Sequence, residues 1–211
     1  TRWGKLEDVF RGIHVAQQFD FEKIKTNAVI IRGQNDHQLL ELLSFGQKYG
    51  LEVRFIEYMD VAGATQWEKS KVVPREEILQ NIESHYGKIE ELEKEKSSSP
   101  AERFQLPDGT TFGIISSTTQ PFCGQCDRVR LTADGQLFTC LYSDQGHDLK
   151  KVLREDLSED KSEVFQYLQD VWNHRRDRTA EERKKLKDRG AYLSSEELKS
   201  RPHLEMHSKG G

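Results

Sequence analysis

Three cysteines carry the plainest chemistry in this sequence. Cys123 and Cys126 are separated by two residues in FCGQC, and thirteen residues separate Cys126 from Cys140. A C-x-x-C turn lets two thiolates face one metal centre. The Asp134-Gly135 pair predicts a hairpin that brings Cys140 back to the same place. Three thiolates leave a fourth coordination position, which can be closed by a histidine, held by water or used by a substrate. Structural zinc with His147 as fourth ligand is one reading of the spacing; inert thiols are another. An odd, clustered set does not resemble a secreted disulfide framework and points instead to a metal site in a reducing compartment.

Arg128 and Arg130 follow Cys126 on an expected strand, where alternation places both on one face. Two guanidiniums beside a metal centre suit an anionic ligand, because each offers planar paired donors to phosphate. Lys25 and Arg54 lie on two earlier expected strands. The charged run 175–187 (RRDRTAEERKKLK) mixes both signs at helical spacing and reads as a solvated helix face.

These residues need elements to hold them. Over 5–18, Leu6, Val9, Phe10, Ile13 and Ala16 fall on one helical stripe. Residues 24–31 read as a β-branched strand, and a helix bearing Leu39, Leu40 and Leu43 stops near Gly50. Residues 51–59 form a second strand. Such alternation implies parallel strands with helical crossovers, here only the last units of a larger α/β array. A helix opens at Pro74, residues 88–102 read as a strand and an exposed connection or as a linker, and Asp108-Gly109 predicts a hairpin. Residues 148–156 and 161–173 read as helices. From 174 to 209 the chain is so polar that loose packing is expected.

The chain has 211 residues, 35% hydrophobic and 32% charged, with a net charge of −4. That balance fits a folded chain, not wholesale disorder, and argues against a general nucleic-acid binder, which needs a basic face. No apolar run is long enough for a membrane helix, and no signal-peptide pattern is visible. The chain starts at Thr1, so its natural start is expected to lie upstream.

The run IISSTTQPFCGQCDRVRLTADGQLFTCL at 114–141 resembles the C-terminal signature of the GTP 3′,8-cyclase family of molybdenum cofactor biosynthesis, which are radical S-adenosylmethionine enzymes. KTNAVIIRGQND at 25–36, RFIEYMDV at 54–61 and the terminal Gly210-Gly211 agree with it. The resemblance implies an α/β fold: the C-terminal part of an incomplete (β/α)6 radical barrel, over residues 1–73. An auxiliary-cluster and substrate region with hairpins and helices would follow at 74–173, then a polar tail at 174–211. It implies a 4Fe-4S cluster on Cys123, Cys126 and Cys140 with an open iron facing the purine of GTP. It implies GTP contacts from Lys25, Arg54, Arg128, Val129 and Arg130, an S-adenosylmethionine contact from Met59, and an active-site tail at Gly210 and Gly211.

In one respect the chain departs from the family. Its members carry an N-terminal C-x-x-x-C-x-x-C motif for a second 4Fe-4S cluster, which cleaves S-adenosylmethionine. No cysteine here precedes Cys123. The expected partners are therefore GTP, the other half of the barrel and, as an option, a second copy in a homodimer, with neither nucleic acid nor membrane. The chain alone is expected to be inactive, and cytoplasmic if its source is bacterial. The reading from outside catalysis is a zinc-binding structural or interaction module.

Overall fold

The computed structural model describes residues 4–94, 96–156 and 160–209. Five strands make the main sheet: β1 (Ile24–Ile30), β2 (Leu51–Glu57), β3 (Glu90–Leu92), β4 (Glu102–Gln105) and β5 (Thr111–Ile115). Their order is β1-β2-β5-β4-β3. β1, β2 and β5 run parallel, whereas β4 is antiparallel to both β5 and β3. The fold is thus mixed α/β, with β1 at an open edge, and the sheet draws strands from both sides of residue 73.

Helix α1 (Leu6–Ala16) precedes β1, and α2 (Leu39–Tyr49) links β1 to β2. α2 stops where expected, at Gly50, whose φ of 64° favours glycine. Helix α3 (Arg75–Tyr86) follows Pro74, which caps it from just outside. Alternation sends Val53, Phe55, Phe112 and Ile114 to one face of the sheet, where Leu39 and Leu43 of α2 and Ile78 and Ile82 of α3 complete the core. Nothing on α1 is buried; Leu6, Val9 and Phe10 of its apolar stripe are exposed.

The opposite sheet face is charged. Lys25 stands beside Glu52, Asn27 beside Arg54, and Arg54 beside Gly113. Glu52 is buried there and accepts from Arg54 at 3.2 Å and Arg103 at 3.0 Å, with Lys23 at 3.8 Å.

The predicted second hairpin forms as β6 (Arg130–Leu131) and β7 (Gln136–Phe138), with β8 (His147–Asp148) added to it. Gly135 at its turn has φ 87°. Helices α4 (Leu149–Glu155), α5 (Ser162–Asn173), α6 (Thr179–Lys184) and α7 (Ser195–Ser200) follow. α7 opens with a reciprocal cap between Ser194 and Glu197.

Residues 174–209 overturn the expected loose packing. Leu193, Leu198 and Leu204 are buried against Ala62, and Ala180 against Val61 and Tyr142. Sparse apolar residues are supplemented by ionic anchors. Asp60, fully buried, accepts from Arg183 Nε at 2.6 Å and from Arg189 Nη2 at 2.7 Å and Nε at 2.8 Å. Tyr142 Oη donates to the same carboxylate at 2.7 Å. The solvated-face reading of 175–187 therefore fails for Arg175 and Arg183, though Arg176, Arg178, Lys184, Lys185 and Lys187 are exposed.

Candidate functional site

The first strand pair ends at Glu57, and the chain beyond β2 and β5 forms the wall of a cavity of about 240 Å³. Glu57 shapes this end. Its buried carboxylate accepts from the backbone N–H groups of Arg75, Thr118 and Thr119 at 2.7–2.9 Å and from Thr119 Oγ1 at 2.6 Å. Ile56 and Ile115 contribute from the charged face of the sheet, Met59 from just past β2, and Phe122 from the approach to the cysteines.

Cys123, Cys126 and Cys140 all line this cavity, together with Arg128 and Arg130. Cys123 opens a single 3-10 turn that ends before Cys126, closed by Cys126 N–H donating to Cys123 O at 3.3 Å. Cys140 lies two residues past β7, so the hairpin returns it as the sequence suggested. Among the described residues, no three His, Cys, Asp or Glu side chains converge as ligands for one metal ion. His147 is exposed on β8 and does not line the cavity, so the zinc reading loses its fourth ligand.

The thiols differ in their surroundings. Burial pushes the Cys123 thiol up, and the charge of Glu181 adds to it. Burial acts on Cys126 as well, but the Arg128 N–H, the Arg175 side chain and both positive charges outweigh it and hold Cys126 below the usual thiol value. Burial lowers Arg130, and the neighbouring Arg128 charge lowers it further. The guanidinium of Arg128 lies 4.7 Å from the Phe122 ring centroid and donates to Ser98 O at 3.3 Å.

Sequence reasoning missed Arg175. It lines the cavity, donates to Cys126 O, lies over Trp172 and sits 3.6 Å from Asp177. Its mixed-charge context disguised it. The useful signal is the neighbouring Asp177, which itself bonds Thr139 at 2.6 Å, one residue before Cys140.

Other expected residues lie elsewhere. Arg54 shares the charged face with Ile56, two residues away, but is bonded by Glu52. Lys25 is exposed, level with Glu52 and four residues back from the level of Ile56, roughly 13 Å along the strands. Val129 is exposed and does not line the cavity. Gly210 and Gly211 lie outside the described residues.

The described residues define a mixed α/β protein with a thiol- and arginine-lined cavity at one end of its sheet. Residues 51–181 match the family described as Molybdenum Cofactor Synthesis C, and the chain belongs to that family. The chain is 44% identical over 205 residues to a protein named GTP 3′,8-cyclase 1 from Mycobacterium tuberculosis, covering 97% of this chain and 56% of that protein. It is 47% identical over 203 residues to GTP 3′,8-cyclase 3 from Mycobacterium bovis, covering 96% and 53%. With GTP 3′,8-cyclase of Aquifex aeolicus the identity is 41% over 182 residues, covering 86% and 53%. The chain thus spans about half the length of the curated relatives it matches.

Proposed function

We propose that this chain is the C-terminal part of a GTP 3′,8-cyclase and builds its auxiliary-cluster and substrate site. The observation that carries the reading is the meeting of Cys123, Cys126 and Cys140 with Arg128 and Arg130 around one cavity. A volume of about 240 Å³ holds a body several times larger than a water, whose share of liquid is about 30 Å³. Three thiolates, cationic neighbours and a largely apolar wall suit a 4Fe-4S cluster. Cys123, Cys126 and Cys140 would hold it, and it would supply an iron with an open position for the purine of GTP.

The chain's own residues orient and neutralise. Arg128 and Arg130 bind the anionic part of the nucleotide, with Arg54 and Lys25 further along the same sheet face. Met59 contacts S-adenosylmethionine, and the apolar wall of Ile56, Ile115 and Phe122 keeps water from a reactive radical. Sheet β1-β2-β5 supplies the last units of an incomplete (β/α)6 barrel, and the open edge of β1 and the exposed stripe of α1 are where its remainder packs. Residues 1–73 together with β5 then serve as barrel, the rest of 74–173 as cluster region and 174–211 as a tail whose Gly210 and Gly211 would serve the active site. The reaction is conversion of GTP to 3′,8-cyclo-7,8-dihydro-GTP, a lyase activity of the whole protein, which is cytoplasmic if its source is bacterial. A second 4Fe-4S cluster outside this chain would supply the radical chemistry, and the chain alone would be inactive. Among the described residues no helix is long and apolar enough to cross a membrane.

The test is anaerobic incubation of the whole protein with GTP, S-adenosylmethionine and dithionite, followed by mass spectrometry. The cyclised nucleotide and 5′-deoxyadenosine should both form with the whole protein and neither with residues 1–211. Neither product from the whole protein, with a single bound zinc in place of iron, would instead favour the structural zinc module.

A further inference from the structure

The turn that carries Cys140 is tied down from several directions, and the least ordinary tie is Lys209. Among the described residues it is the only lysine in the buried set, at 1% exposure. Its ammonium donates to Leu141 O at 3.2 Å and to Ser143 O, the carbonyls on either side of Tyr142. It also lies 4.8 Å from the ring centroid of Phe138, two residues before Cys140. One side chain therefore touches the chain on both sides of the cysteine.

Stripping water from an ammonium is costly, so its burial here must be repaid locally. Two carbonyl acceptors and a ring face do so only while residues 138–143 keep their present path. The rest of the turn is held mainly by side chains. Beyond β7, the backbone bond seen among the described residues is Ser143 N–H to Cys140 O at 3.2 Å. Asp177 accepts from Thr139 at 2.6 Å and from Ser143 at 3.4 Å, and Asp60 accepts from Tyr142. Lys209 is the tie made to the carbonyls that flank the turn.

We propose that Lys209 is a positioning residue that staples the Cys140 turn closed, holding the Cys140 thiol in the cavity with Cys123 and Cys126. Its consequence for cluster assembly rests on the function proposed above; the stapling itself does not. The lysine sits late in a segment that the sequence presents as loose, which couples the order of that segment to the order of a metal-binding thiol.

The experiment uses the whole protein, stripped of metal by chelation under anaerobic conditions. Iodoacetamide alkylation of Cys123 and Cys140 is followed by peptide mass spectrometry, alongside thermal unfolding. Lys209→Met keeps the stem and removes the donors. It should speed alkylation of Cys140 by about tenfold or more, with Cys123 changed less than about twofold, as expected for local opening after loss of charge-assisted bonds. Lys209→Arg, which keeps cationic donors, should return the Cys140 rate towards wild type. If Lys209→Met fails to accumulate folded, Lys209→Gln should show a smaller rise confined to Cys140. After anaerobic reconstitution, the methionine variant should also bind less iron, with an altered electron paramagnetic resonance signal. An unchanged Cys140 rate, or equal acceleration at both cysteines with a lowered melting temperature, would overturn the staple. Wild-type protein that binds no iron would refute the cluster while leaving the alkylation result to stand by itself.

Discussion

Replacing Asp60 by Asn should release residues 174–209 from the wall of the cavity. Asp60 is fully buried, and the side chain of Arg189 beside it is only 5% exposed. Asn keeps the shape but loses the charge and one acceptor, leaving a buried guanidinium without its counter-ion. Breaking a buried pair in this way costs about 3–5 kcal/mol. Arg183 is less buried, so its loss adds little beyond that range. Urea unfolding followed by tryptophan fluorescence is a suitable assay, because buried Trp67 lies 5.1 Å from the Arg189 guanidinium. Amide exchange should show the loss concentrated in 179–209, with β1, β2 and β5 keeping their protection. The pH dependence has a defined sign. Burial alone would raise the Asp60 carboxyl, but its bonds from Arg189, Tyr142 and Arg183 hold it below the ordinary 3.8. Its stabilisation is therefore fully present above 3.8 and lost as pH falls through the lower folded value. The penalty of Asp60→Asn should be constant at neutral pH and shrink in strong acid. A variant within about 1 kcal/mol of wild type at neutral pH would refute the reasoning, since that lies well below the usual cost of breaking a buried pair.

Two further outcomes are expected. Arg128→Ala should weaken GTP binding by about 1.5–3 kcal/mol with bound iron unchanged; calorimetry showing unaltered affinity would remove Arg128 from the substrate site. Gly46→Ala should destabilise by about 1–2 kcal/mol despite the better helix former, because the new methyl would meet Val53 Cγ2 at 2.6 Å and Leu51 O at 2.9 Å. Equal or greater denaturant stability would show that β2 yields at this contact.

What the sequence disclosed was local. Gly50, Asp108-Gly109 and Asp134-Gly135 announce their turns because the backbone there has positive φ, at 64°, 88° and 87°. β1 and β2 are visible in their β-branched runs, and the cysteine spacing marks the cavity. The distant pairings were hidden. β5 joins β2 across more than fifty intervening residues, and no residue pattern states which strand a short antiparallel hairpin will extend. Asp60 meets Arg183 and Arg189 over separations of 123 and 129 residues. A polar segment looks loose when its burial is achieved by ion pairs and a few leucines, which is why 174–209 and Arg175 were misread. Of the expected nucleotide contacts next to the cysteine motif, Arg128 and Arg130 reach the cavity and Val129 does not. Lys25, given its nucleotide role by resemblance, stands well back from it.

The central claim is that Cys123, Cys126 and Cys140 together hold an iron–sulfur cluster. The most direct measurement is iron, acid-labile sulfide and zinc content of the whole protein after anaerobic reconstitution, against a variant with all three cysteines changed to Ser. The account predicts a loss of about four iron and about four sulfide per chain in the variant, with the rest of the bound iron retained. Equal iron and sulfide in the two proteins, or loss of one zinc alone, would contradict it.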